Sequence, residues 1–384
     1  MKLPNCEATS PEPTSPESPS PATAQPGPGG RSSSPGTPLT WAEHLPMVLS
    51  EVEVTEVQRL SPSFVRIVLA GPGLEHVGPA DSRWADPGWW DQRFKLVVPH
   101  VDGGITSVAD ADQSWLSTWT ARPASERGHM RTYTVRELRG TGPRTRLAVD
   151  VVVHAEGEQG AALGPGARWA QEARPGTRAV ALLPRRGHAF GGIEFQPLDA
   201  ARLLLVGDET AVPAICAILE HLPGDRVGAA FLEVPLSADV LNVVAPPGVE
   251  VHWLPRDGAP HGERLQAAVH AYLGIPTAAL SGDLPGTDLP DTDLPGTDEV
   301  DPELWETPTY SSSGEPLVDA EEGGPVPGEH APSAGTRHAG LYAWIAGESA
   351  VVTALRRHLV TQEGVDRSQV SFMGYWRRGV AMKS

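Results

Sequence analysis

Between Val48 and Pro184 apolar and polar positions alternate in short runs broken by turns. SEVEVTEV sets Val52 and Val54 between acids, and FVRIVLAGPG, RFKLVVPH, MRTYTVREL, RLAVDVVVH and TRAVALLP follow. Six such strand-length runs within about 140 residues, separated by turns, predict an antiparallel β-barrel. One helical pattern, ARWAQEARPG, interrupts them and ends at Pro175–Gly176. After Ala200 the rhythm changes. ARLLLVGD is a run apolar on both faces, as a buried strand requires, and TAVPAICAILEHLPG is a helix closed by Pro223–Gly224. DRVGAAFLEV and VEVHWL are strands, and GERLQAAVHAYLG is a helix. LYAWIAGE, SAVVTALRRHLVTQEG and QVSFMGYW then give strand, helix and strand. Alternation of this kind implies parallel βαβ units and a doubly wound sheet.

Two stretches carry neither period. Residues 1–40 are rich in Pro and Ser and lack the large apolar side chains needed to offset ordering entropy, so a disordered tail is expected. Residues 277–337 contain the repeat DLPGTDLPDTDLPGTD, with Pro and like charge throughout, and are expected to be a disordered acidic insertion. The repeat lacks EF-hand spacing, which argues against a calcium site. Lengthening a loop from about six to about sixty residues costs only ~2 kcal/mol of closure entropy, so the fold tolerates it. The expected organisation is a tail at 1–40, a barrel domain at 41–199 and an α/β lobe at 200–384 interrupted at 277–337.

Composition changes this picture little. The formal net charge is −18, but 14 acids and no Lys or Arg fall between Thr277 and Thr336, so the folded remainder is close to neutral. The overall acidity argues against a nucleic-acid partner, while the nearly neutral remainder can still present a local basic cleft. The two cysteines, Cys6 and Cys216, exclude a disulfide framework and a four-cysteine iron–sulfur cluster. No apolar run has the length of a membrane span, and MKLPNCEATSPEPTSPESPS has no apolar signal-peptide core. A cytoplasmic monomer is the expectation.

The candidate chemistry begins at Arg131-Thr132-Tyr133-Thr134-Val135-Arg136. On one strand Arg131, Tyr133 and Val135 share a face, and Thr134 and Arg136 the other. An Arg suits a phosphate, a Tyr a flat aromatic ring, and a Thr hydroxyl a ring nitrogen. Taken alone, the same pattern also fits an ordinary amphipathic strand. Gly164-Pro165-Gly166-Ala167-Arg168-Trp169 is a Gly-Pro turn opening a helix, where backbone N–H groups suit a pyrophosphate, though a plain helix start reads the same way. His154 ends the run DVVVH and by itself fits a structural histidine. Trp84, Trp89 and Trp90 share one Gly/Pro-containing loop, where packing over the barrel is expected more than ligand contact.

Barrel first and doubly wound lobe second is the order of flavin- and nicotinamide-dependent reductases of the ferredoxin-reductase type. RTYTVR (131–136), DVVVH (150–154), GPGARWA (164–170), GDETAVPA (207–214), FLEVP (231–235), YAWIAGE (342–348) and SFMGYWRRG (371–379) fall in family order, and together they closely resemble the siderophore-interacting proteins, FAD-dependent ferric-siderophore reductases. The resemblance implies a ferredoxin-reductase-like fold, with an FAD-binding antiparallel barrel and an NAD(P)H-binding lobe. It implies that Arg131, Tyr133 and Thr134 bind FAD, that His154 flanks the flavin, and that Gly164, Pro165, Gly166, Ala167 and Trp169 hold its pyrophosphate. Gly207, Asp208, Glu209 and Thr210 would lie where the nicotinamide approaches, in the crevice outside a carboxyl strand end. Tyr375 and Trp376 would cover the flavin or nicotinamide face.

The implied activity is reduction of a ferric siderophore by NADPH or NADH through FAD, which requires no side-chain base or nucleophile and no resident metal. A general flavin reductase, or a flavin-containing siderophore-binding module without turnover, would carry the same motifs. Arg185-Arg186 and Arg377-Arg378 are basic pairs suited to an anionic chelate, and equally to solvated surface. Glu233 could bond a ribose 2′-hydroxyl and Arg256 a 2′-phosphate, which leaves the choice of nucleotide open. Two departures stand out: Ala167 occupies a position where the family usually has Ser or Thr, and the loop from His154 to Gly164 is longer than usual. The acidic insertion has no counterpart in the resemblance.

Overall fold

The computed structural model describes residues 47–79, 88–100, 104–105, 107–108, 111, 114–153, 164–188, 190–274 and 338–379. The tail at 1–40, the insertion at 277–337, Trp84 and His154 lie outside the described residues.

The first half builds a seven-stranded antiparallel sheet from β1 (Met47–Arg59), β2 (Phe64–Ala70), β3 (Arg93–Val98), β4 (His129–Thr134), β5 (Glu137–Arg139), β6 (Arg146–Val152) and β7 (Arg178–Pro184). Two short helices, α1 (Trp115–Ala121) and α2 (Ala124–Arg127), precede β4, and α3 (Pro165–Glu172) lies between β6 and β7. Val52, Val54, Ile67, Leu69, Phe94, Leu96, Leu147, Val149, Ala181 and Leu183, each every second residue of its strand, meet in the barrel core.

One element departs from its sequence pattern. MRTYTVREL is not one strand: the strand order is β4-β3-β7-β1-β2-β6-β5, so its two ends lie on opposite edges of the sheet. The chain crosses between those edges at Val135 and Arg136. Val135 N–H donates to Gln92 O at 2.8 Å on one side, and Arg136 N–H to Ala148 O at 3.1 Å on the other. The crossing closes the barrel and satisfies backbone groups that an open edge would leave unpaired.

The second half is a five-stranded parallel sheet in the order β10-β9-β8-β11-β12. Its elements are β8 (Arg202–Gly207), α4 (Val212–His221), β9 (Val227–Val234), β10 (Gly248–Pro255), α5 (Glu263–Tyr272), β11 (Leu341–Glu348), α6 (Ser349–Arg357) and β12 (Val370–Trp376). The run LLLV in β8 is apolar on both faces because both are covered. Leu203 and Leu205 pack with α4, while Leu204 and Val206 pack with α5 and α6. The crossover from β9 to β10 uses no α-helix; Leu241, Val243 and Ala245 pack against the core on the α4 side. No helix among the described residues is long and apolar enough to cross a membrane.

Barrel and lobe share one core, since Phe64, Val97, Val180 and Leu182 join the cluster around α4. Buried polar bonds fix the contact. Asp239 of the lobe accepts Ser61 Oγ at 2.6 Å, Ser63 N–H at 2.7 Å and Ser63 Oγ at 2.8 Å. Asp91 of the barrel accepts the Trp344 indole N–H at 3.0 Å. Arg136, at the closing strand crossing, makes two bonds of 2.7 and 2.5 Å to Glu220 on α4.

Candidate functional site

β4 and the start of α3 come together on the barrel. A Cβ at Gly166 would overlap the Tyr133 hydroxyl and would stand 3.4 Å from Arg131 Cγ, so only glycine lets the helix start lie this close to the strand. Gly164 caps α3 without a side-chain hydrogen bond, Pro165 takes the first helical position, and Arg168 N–H returns to Gly164 O at 3.0 Å. The N–H groups of Gly166 and Ala167 therefore have no intrahelical acceptor and remain available to an anion. Ala167 is half-buried with no hydroxyl to offer, so its backbone N–H is its only donor. Trp169 is buried, and its indole N–H finds no partner among the described residues.

Arg131 is half-buried beside this helix start. Its Nη1 donates to the Met130 carbonyl at 2.7 Å. Burial pulls its pKa below the ordinary arginine value, offset only by Tyr133, whose hydroxyl burial pushes up to about 12. Four other buried or half-buried arginines have carboxylates: Arg66 pairs with Asp150 at 2.7 Å, Arg93 with Glu194 at 2.8 Å, Arg136 with Glu220 at 2.5 Å and Arg256 with Glu209 at 2.6 Å. Among the described residues no carboxylate pairs with Arg131. A half-buried cation without an anion, beside uncapped helix N–H groups, fits the phosphates of a dinucleotide such as FAD. Thr134, the last residue of β4, is buried at 6% exposure.

In the lobe, Gly207, Asp208, Glu209 and Thr210 follow β8 at the carboxyl end of the sheet, but both acids face inward. Asp208 Oδ1 accepts Thr210 N–H at 2.9 Å and Thr210 Oγ1 at 2.5 Å. Its Oδ2 accepts Glu348 N–H and the Trp376 indole N–H, both at 2.8 Å, and meets His261 Nε2 at 3.2 Å. A Cβ on Gly347 would fall 2.6 Å from that same oxygen, and Gly347 has φ 143°. Burial alone would raise the Asp208 pKa, but the bonds to His261, Thr210 and Trp376 outweigh it and hold the carboxyl below its usual range. Glu209 is fully buried and takes both ends of the Arg256 guanidinium, at 2.6 and 3.0 Å.

Glu233 accepts Gly262 N–H at 2.8 Å and Leu265 N–H at 3.2 Å at the start of α5, and meets Arg256 at 3.3 Å. The two residues that the sequence offers for choosing between ribose and 2′-phosphate are thus bonded to each other. Asp208, Glu209 and His261 bring ligand-type atoms within 4.8 Å, and protein donors already bond both carboxylates.

Trp376 joins this network, its ring 5.1 Å from that of His261 at an interplanar angle of 81°. Tyr375 packs instead against the core shared with the barrel. The basic pairs lie in two places. Arg185 and Arg186 follow β7, where Arg185 Nη2 reaches Met47 O at 3.5 Å and Arg186 Nη2 donates to Val77 O at 3.1 Å. Arg377 and Arg378 are exposed after β12, and the Arg378 backbone N–H donates to Glu348 Oε1 at 3.2 Å. Trp90 is buried against Phe195, ring centroids 5.4 Å apart, in the packing role its loop suggested. His261 and Glu348 were not singled out by sequence. Their common signal is position, since each sits at or just beyond the carboxyl end of a parallel strand, where open α/β sheets bind ligands.

Comparison with known proteins bears on both halves. The siderophore-interacting FAD-binding domain matches residues 53–188, and the siderophore-interacting protein family matches residues 200–379. An uncharacterized protein of Mycobacterium tuberculosis is 36% identical over 211 residues, which are 55% of this chain and 66% of that protein. The ferric vibriobactin reductase ViuB of Vibrio cholerae is 36% identical over 201 residues, 52% of this chain and 63% of its own length. These matches thus span just under two thirds of each relative. The crystal structure of a siderophore utilization protein from T. fusca superposes with a TM-score of 0.53 at 25% identity, over 88% of this chain and 95% of that one. The siderophore-interacting protein SipS from Aeromonas hydrophila, at 23% identity and a TM-score of 0.51 over 87% of this chain and 93% of its own, shares the fold.

Proposed function

The chain belongs to the siderophore-interacting protein family, and from that premise we propose that it passes electrons from NADPH or NADH through FAD to a ferric siderophore, releasing ferrous iron. The observation that carries this reading is Arg131: a half-buried guanidinium without a carboxylate, beside the uncapped start of α3. Arg131 would neutralise an FAD phosphate, the Gly166 and Ala167 N–H groups would bond the pyrophosphate, and Tyr133 would line the corner beneath. Thr134 would contact the flavin end. FAD, when bound, supplies the exchange between a two-electron hydride donor and a one-electron acceptor. Per turnover, one nicotinamide nucleotide is oxidised with release of one proton, and two ferric ions become ferrous.

The protein's own part is positioning and charge. No side chain has to move a proton in this reaction, which agrees with Asp208 and Glu209 being occupied inside the lobe. Ferric ion is held in siderophores by hard oxygen donors, and the ferrous ion has a weaker hold on the same ligands. The exposed Arg377 and Arg378, with Arg185 and Arg186, would attract an anionic chelate. Chelate reduction is then expected to slow with rising ionic strength.

The test is kinetic. Purified holoprotein is mixed anaerobically with NADPH or NADH and flavin bleaching is followed, with and without a ferric catecholate or hydroxamate. Replacing Arg377 and Arg378 by Gln should weaken chelate use while nucleotide-driven bleaching is retained. A protein that binds FAD but never bleaches with either nucleotide would not be a reductase.

A further inference from the structure

Three carboxylates converge at the carboxyl end of the parallel sheet. Asp208 and Glu209 come from the turn after β8, and Glu233 from β9. One arginine, Arg256 after β10, faces them; it bonds Glu209 and Glu233 and leaves Asp208 aside. The group placed to answer Asp208 is His261, just before α5. Its side chain is 4% exposed, its Nε2 lies 3.2 Å from Asp208 Oδ2 and 3.9 Å from Glu233 Oε1, and Trp376 closes over it edge to face. Asp208 in turn holds the Glu348 backbone at the end of β11 and the Trp376 indole at the end of β12. One carboxylate thus ties three parallel strands to the entry of α5.

We propose that His261 is a positioning residue that works as an imidazolium, fixing Asp208 and, through it, the Trp376 ring at the sheet end that the nucleotide approaches. The nucleotide part rests on the function proposed above; the charge state and the tie to Asp208 do not. Charge balance supports the protonated form, since a neutral His261 would leave three buried carboxylates against one guanidinium. Burial alone would lower the His261 pKa, but the bond to Asp208, with Glu209 and Glu233 nearby, outweighs it and raises the pKa. Losing the proton at alkaline pH removes the charge from the pair and weakens the hold on Asp208, the carboxylate to which the Trp376 indole is bonded.

The experiment has two arms on FAD-loaded protein. In the first, 15N-imidazole NMR follows His261, assigned by the peak missing in His261→Gln. A midpoint above 6.5 is expected, and it should fall in Asp208→Asn. In the second, the pH profile of flavin bleaching by NADH or NADPH should show an alkaline limb at that midpoint. In His261→Gln the limb should vanish and the rate at neutral pH should drop about tenfold, the value of one charge-assisted hydrogen bond. A His261 that is neutral at pH 6.5, or an alkaline limb unchanged in His261→Gln, overturns the proposal. If His261→Gln does not fold, the peak whose midpoint falls in Asp208→Asn assigns His261 instead, and if no peak has a lowered midpoint the proposal is overturned. If neither nucleotide bleaches the flavin, the functional reading fails while the NMR midpoint still judges His261.

Discussion

Replacing Arg131 by Ala separates a ligand-binding role from a structural one, because the two predict opposite effects on the empty protein. A structural arginine is paired, and truncating it leaves a buried carboxylate unanswered, at a cost of about 3–5 kcal/mol. Among the described residues Arg131 has no such partner, and burial disfavours its charge and lowers its pKa. Removing it should therefore leave the flavin-free protein as stable as before or slightly more so. FAD binding should weaken, since a charge-assisted bond to phosphate contributes about 1.5–3 kcal/mol, or roughly 10- to 100-fold in Kd. Arg131→Lys keeps the charge without the fork and should fall between. The assay is titration of apoprotein with FAD, followed by quenching of flavin fluorescence, alongside thermal melts of the apo forms. FAD affinity of the Ala variant within twofold of wild type would refute the phosphate role. So would an apo melting temperature several degrees lower, which would mark Arg131 as a packing residue.

Asp239→Ala should destabilise the whole protein by about 2–4 kcal/mol, because the buried Ser63 N–H and the Ser61 and Ser63 hydroxyls lose their acceptor at once; urea unfolding measures it, and a loss under 0.5 kcal/mol would deny the clamp, on the ~1 kcal/mol scale of a single bond. His270 and His358, ring centroids 4.5 Å apart, both have pKa values lowered by burial from 6.5. The unfolded chain therefore takes up these protons at higher pH than the folded one, so stability should fall as pH drops below 6.5 toward the folded pKa values. Melting temperatures from pH 8 to 5 should show a slope that His270→Phe reduces, and an unchanged slope would exclude the pair. Replacing residues 277–337 by a short Gly/Ser linker should keep FAD content and melting temperature, since that stretch carries 14 acids and no Lys or Arg up to Thr336; loss of flavin would show that the insertion supports the core.

The order of strands and helices was legible because burial writes itself into local periodicity. LLLV in β8 and the alternation in RLAVDVVVH each answer to what covers their faces. The break inside MRTYTVREL was not legible, because it follows from the sheet curling round until Val135 and Arg136 bridge its edges, a tertiary event with no local signature. The candidate site divides in the same way. Arg131, Tyr133 and the glycine turn could be picked out because arginine, tyrosine and glycine each carry a distinct chemical reason to be there. Asp208 and Glu209 could not be oriented from sequence. An acid after a strand looks the same whether it faces a ligand or, as here, five donors and an arginine inside the lobe. Glu233 and Arg256 looked like alternatives for one nucleotide and are partners in one ion pair. His261 carried only the signal of its position beyond a strand end, because its role exists only when β8, β11 and β12 end side by side.

The central claim, electron transfer through FAD to chelated ferric iron, is tested most directly without the nucleotide. Holoprotein is reduced anaerobically, excess reductant is removed, and a ferric siderophore is added with a colorimetric ferrous trap. The account predicts that flavin absorbance returns while two ferrous ions are trapped per flavin. If the flavin stays reduced with ferric catecholates and hydroxamates in excess, the protein does not reduce them.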